Sequence, residues 1–241
     1  MKTVIRGLAC GVLSAVWSCA ALAIPITFTN FTYATNTLAI AGGNSQSASD
    51  NSPPTPLPLL TGVNSNGNGG ETASAAAIAD TGLLTVQADA FGGSDDGGGS
   101  SSISAFSLGA SAVANSEFNG DFIAPGGPIA FAFMLTTSGF SNGGATQDSS
   151  IRVVVQSGGV TLLDQLFSSA GSYAPILFLP VGTAASVSFI ALASADAPGP
   201  FDVASQALTA NFAVQTVAEP QTLALVIVCA LAAAACRRAR A

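Results

Sequence analysis

The chain has 241 residues, no histidine, six basic residues against thirteen carboxylates, and a formal net charge of −7; 49% of its residues are hydrophobic and 8% charged. A chain this acidic repels phosphate backbones and anionic lipid headgroups, which argues strongly against nucleic acid as a partner. The missing histidine removes the usual base for serine nucleophiles.

At the N-terminus, Lys2 and Arg6 precede an apolar run from Gly7 to about Ala20, and Ala21-Leu22-Ala23 supplies small residues. Residues 1–23 are therefore expected to be a secretory signal peptide, with Ala21 and Ala23 at the cleavage positions and Ile24 as the new N-terminus. A lipoprotein site at Cys19 is the alternative, but bulky Trp17 occupies a position that wants a small residue. All four cysteines, Cys10, Cys19, Cys229 and Cys236, lie in the two apolar ends. The body, 24–217, must then fold without disulfides, and it carries no zinc-ligand or redox motif.

The body holds Arg152 as its single basic residue against twelve carboxylates, a net charge of −11. Its 194 residues suffice for one domain with a real core. The pattern has period two. Leu208, Ala210, Phe212 and Val214 alternate with Thr209, Asn211, Ala213 and Gln215, and Ile151, Val153 and Val155 alternate with Arg152, Val154 and Gln156, leaving Arg152 to face water. Further strands are expected at 26–33, 83–91, 103–113, 129–136, 160–167 and 185–193, with turns at Gly92–Gly97, Asn142-Gly143-Gly144 and Ala197-Pro198-Gly199-Pro200. The run 129–135 is apolar throughout and is expected to be a central strand. About eight short strands punctuated in this way predict an all-β fold, an antiparallel β-sandwich or jelly roll. Ala73–Ala79 is the only helix-favouring stretch in the body. Residues 41–71, rich in Gly, Ser, Asn and Pro, have little to bury and are expected to be a flexible loop or linker.

Several motifs invite chemistry. Gly139-Phe140-Ser141-Asn142-Gly143 matches the nucleophile elbow of α/β-hydrolases. With no histidine, and Lys2 the only lysine, the serine has no base, and a hairpin loop between 129–136 and 151–156 explains these residues better. Asn64-x-Asn66-x-Asn68-Gly69 imitates half an EF-hand loop, but Ala75 stands where the bidentate Glu belongs. A flexible Asn/Gly turn is the better reading. A looser Ca²⁺ site at Asp95, Asp96 or Asp121 has no support in the spacing. Paired carboxylates alone could hydrolyse a glycoside, yet the acidic residues are dispersed and the body lacks tryptophan, with Tyr33 and Tyr173 its only tyrosines. No catalytic residue, metal or cofactor is assigned.

The last two dozen residues differ again. Glu219-Pro220 leads into an uncharged run, 222–236, that includes Leu223, Val226, Ile227 and Leu231, and then into Arg237, Arg238 and Arg240. As a helix those fifteen residues span roughly 22 Å, short of a hydrocarbon core of about 30 Å. Snorkelling arginines and local thinning narrow that gap, so a short transmembrane helix is expected. The arginines form a basic stop that stays cytoplasmic and places the body on the far side.

This tail resembles the PEP-CTERM sorting signal of exosortase substrates: Glu219 and Pro220 match the short motif, the run from Leu223 the helix, and the three arginines the terminus. Ala218 stands where the first proline of Pro-Glu-Pro belongs. The match covers about a tenth of the chain. It implies export across the inner membrane of a Gram-negative bacterium, signal peptidase and an exosortase-type membrane protease as partners, transient anchoring by the tail helix, and delivery to the cell surface or extracellular matrix, with exopolysaccharide as a candidate partner. The expected function is a non-enzymatic surface or matrix protein. The alternative is a secreted carbohydrate-binding module or a carboxylate-based glycan hydrolase.

Overall fold

The computed structural model describes residues 23–53, 57–67, 70–93 and 109–217. Within them the chain is strand and turn, thirteen strands in all: β1 Phe28–Ala41, β2 Asn44–Ser52, β3 Leu59–Asn66, β4 Thr72–Asp80, β5 Leu83–Phe91, β6 Ala110–Ile123, β7 Gly127–Asn142, β8 Thr146–Ser157, β9 Val160–Phe167, β10 Gly171–Tyr173, β11 Ile176–Leu179, β12 Ala184–Ala197 and β13 Val203–Thr216. They form two sheets, one in the order β2-β1-β6-β12-β8-β9 and the other β10-β7-β13-β5-β4-β3, with β11 also on β7. Each described pairing is antiparallel, and the apolar faces of the two sheets share one core. The architecture is an all-β, two-sheet sandwich.

Period-two alternation does most of this work. In β6 the residues Ala110, Ala112, Ala114, Ser116, Phe118, Gly120 and Phe122 are buried while their neighbours face outward. Hairpins set the register. Gly42-Gly43 and Gly158-Gly159 both have two successive positive φ angles, the two-residue turn whose twist matches the flanking strands. They join β1 to β2 and β8 to β9.

Five expectations change. Ala73–Ala79 is strand β4, because Ala73, Ala75, Ala77 and Ala79 all face the core; tertiary packing overrides alanine's helix preference. The stretch expected as a loop or linker, 41–71, contains β2 and β3. Their small polar residues pair by backbone, with Leu59, Thr61, Val63 and Ser65 buried on one face of β3. The 129–135 run lies in β7, which pairs with β13 on one side and only with the short β10 and β11 on the other; Met134, between the buried Phe133 and Leu135, is on its outer face and 53% exposed. Finally, β7 and β8 are not a hairpin. They belong to opposite sheets, and Asn142–Ala145 is a corner between them, closed by the Ala145 N–H donating to the Asn142 carbonyl. The strands are also longer than the expected short ones, 12 to 16 residues in β1, β6, β7, β8, β12 and β13.

The core is graded along the sandwich. At one end alanines dominate, among them Ala41, Ala73, Ala90, Ala110, Ala197 and Ala204. Residues this small let sheets approach closer than the usual ~10 Å, and Cα atoms of β5 come within 8 Å of those of β6 and β12. At the other end aromatic rings fill a wider space: Phe189 stacks on Phe212 at 4.6 Å, Phe118 packs on Phe212 at 4.9 Å, and Phe133 meets Phe167 at 4.9 Å.

The two ends of the described body meet. The Ile26 N–H donates to the Val214 carbonyl at 2.9 Å, Pro25 bridges Gln215, and the Thr216 N–H donates to the Ile24 carbonyl at 2.9 Å. Ala23 is exposed just before this clasp. Ala21, the sorting motif, the tail helix, the basic stop and the strand positions 103–108 lie outside the described residues. No helix among the described residues is long and apolar enough to cross a membrane.

Candidate functional site

On the outer face of the second sheet, strand pairing places Asn64, Ser74, Asp89, Ser205 and Phe140 side by side, one each from β3, β4, β5, β13 and β7. Alternation explains the placement. Ala73, Ala88, Ala90 and Ala204 point into the core, so Ser74, Asp89 and Ser205 point away from it. The Asp89 carboxylate is the hub: Ser205 Oγ donates to it at 2.6 Å, Gln87 Nε2 at 2.8 Å and Ser74 Oγ at 3.2 Å. These groups lie in and beside a cleft of about 530 Å³ whose lining includes Phe91 and Val203. Phe140, next to Ser205 in the row, is 58% exposed.

The elbow-like motif has a structural explanation. Gly139 is exposed but sits opposite Gln206 on the inward side of β7, where a Cβ would sit 1.8 Å from the Gln206 side-chain oxygen. The buried Gln206 amide donates across the sandwich to Ser149 Oγ. Phe140 is turned outward as a result. Asp202 secures the same end, accepting the Gly144 and Gly199 N–H groups at 2.9 Å each.

Asn64 and Asn66 belong to strand β3 and face the cleft, so that half of the EF-hand imitation is strand, and Gly67 begins the connection to β4 with its N–H donating to the Glu71 carbonyl; Asn68 and Gly69 lie outside the described residues. Glu71 is buried, its carboxylate packed against the backbones of Gly42 and Gly67. Of the acidic residues weighed for calcium, Asp121 is exposed on β6, and Asp95 and Asp96 lie outside the described residues. Among the described residues no group of three or more His, Cys, Asp or Glu could hold a metal ion. Arg152 faces water as expected, its Nε and Nη2 donating to Asp164 at 2.7 and 2.6 Å. That pairing, above all the hydrogen bonding, holds the Asp164 carboxyl below its ordinary range.

Of the sequence-derived site residues, Glu219, Pro220, Leu223, Val226, Ile227, Leu231, Arg237, Arg238, Arg240 and Ala21 lie outside the described residues, and Ala23 is exposed beside the terminal clasp. Sequence reasoning did not single out Asp89. Period two in the expected strand 83–91 puts Gln87 and Asp89 on one face, but Ser205 arrives from 116 positions away.

No protein-family model matches the chain, and no curated protein matches it in sequence. Among solved structures it is similar to a GH31 alpha-xylosidase from Xanthomonas citri, with 10% identity over 64% of this chain and a TM-score of 0.21. The match spans 23% of that enzyme's length. At so low a score the likeness establishes no shared fold.

Proposed function

We propose that the chain is an exported, non-enzymatic protein of the cell surface or exopolysaccharide matrix, sent there by its N-terminal signal and sorted by its C-terminal exosortase-type tail. The observation that carries this reading is the contrast in composition. Apolar, basic ends bracket an acidic body whose single arginine is already paired with Asp164. The clasp of residues 24–26 on 214–216 supports it, since both end segments then join the body at one place, and clipping either leaves every described strand of the sandwich in place. The finer fold reading is a jelly roll: β6, β7 and β8 alternate between the sheets, and β12 and β13 return to fill the gaps between β6 and β8 and between β5 and β7.

Intact mass of the protein recovered from native cells tests the reading. Loss of residues 1–23 and of the tail after about Pro220 is expected, and a reporter fused to 218–241 should be sorted and trimmed in the same way. A full-length chain recovered from the cytosol refutes it.

One observation favours the carbohydrate-binding alternative, namely the polar cleft around Asp89. Its hydrolase version has weaker support, because Asp89 is the single carboxylate in the lining and glycoside hydrolysis takes two.

A further inference from the structure

We propose that the cleft around Asp89 binds a neutral, hydroxyl-rich polysaccharide, with Phe140 as the ring on which one sugar unit stacks. Such binding deepens the carbohydrate-binding alternative and rests on export only for where the polymer would be met.

The hydrogen-bond directions make the case. Ser74 and Ser205 give their hydroxyl protons to Asp89, so each turns only acceptor lone pairs toward solvent. Gln87 commits one of its two amide protons to the same carboxylate and keeps the other. Asn64 adds a carboxamide that both donates and accepts, and its side chain is exposed in the same row. The result is a set of acceptors and a few donors at fixed spacing, without a cation. Sugar hydroxyls, each both donor and acceptor, satisfy such a set. A polyanion does not, because Asp89 repels it and none of the described lining residues is a lysine or arginine. A hard divalent cation wants six or more oxygens, several of them anionic, and here one carboxylate already accepts three hydrogen bonds.

The apolar parts fit the same ligand. A sugar ring presents a belt of C–H bonds as well as hydroxyls, and the exposed Phe140 ring beside Ser205, with Phe91 and Val203 in the lining of the cleft, offers surface for that belt. A volume of about 530 Å³ lies within the range of small-ligand sites and leaves room for a short run of sugar units. The donors and acceptors stand on four paired strands rather than on loops, so little ordering remains to be done on binding.

The test is affinity electrophoresis of the full chain in mild detergent, in native gels containing dextran, hydroxyethyl cellulose, galactomannan or the host's own neutral exopolysaccharide. Alginate serves as the polyanion, and CaCl₂ alone is followed by thermal shift. Retardation by at least one neutral polymer is expected. Phe140→Ala should weaken it about tenfold, and Asp89→Asn at least as much, the scale of one lost hydrogen bond to a charged group. Phe178→Ala, which removes another exposed ring on β11, should leave it unchanged. Phe140 is exposed, so its variant reads binding even where Asp89→Asn disturbs the sheet. No retardation by any neutral polymer, equal weakening by Phe178→Ala, or a response confined to alginate or Ca²⁺ overturns the proposal. Failure here leaves the mass of the native protein untouched, and an untrimmed cytosolic chain leaves the gels untouched, so the two readings fail separately.

Discussion

Burial pushes the Tyr33 phenol above its ordinary value of 10.0; the Gly82 N–H, donating to its oxygen at 3.4 Å, pulls the other way, and the nearby Asp80 adds to the rise. With the folded value above the unfolded one, the neutral phenol's contribution is fully present below pH 10 and is lost as pH climbs toward the folded value. Tyr33→Phe should therefore change stability little at pH 7 and flatten the loss of stability as pH rises past 10, read as urea midpoints on either side of that value. Equal slopes in the two proteins would count against the buried-phenol account.

At the scale of elements, the graded core sets what each strand tolerates. Phe189 on β12 is fully buried and packs on Phe118, Phe133 and Phe212. Phe189→Ala should cost about 3–5 kcal/mol, because rings held on three sides cannot collapse into the space. Four residues along the same strand, Ala193 is fully buried among the small residues, and Ala193→Leu should cost about 1–3 kcal/mol or more by forcing the sheets apart. Denaturant unfolding checks both. If Ala193→Leu is tolerated while Phe189→Ala is not, the alanine end is looser than its Cα separations indicate.

Across the whole molecule, the charge balance is one-sided. Twelve carboxylates face one arginine in 24–217, and Arg152 is already engaged by Asp164. Self-repulsion of this kind opposes compactness and is screened by salt. Raising NaCl from about 0.01 M to about 1 M, which shortens the screening length from roughly 30 Å to roughly 3 Å, should raise the thermal midpoint by a few degrees, on the order of 1 kcal/mol. A falling midpoint would show that attractive pairs outweigh the repulsion.

The sequence by itself determined the all-β class of the body, the water-facing side of Arg152 and the division into an acidic body with apolar ends, because period two and composition are local properties that any short window displays. It misled at Ala73–Ala79 and at 41–71, where local preference pointed to helix or loop and burial against a facing sheet decided for strand. Only the tertiary structure decided that β7 and β8 part into different sheets, that residues 24–26 close on 214–216, and that Ser74 and Ser205 converge on Asp89. Those outcomes depend on which distant strands pair and in what register, and one step of register would turn Asp89 into the core and Ala88 toward water.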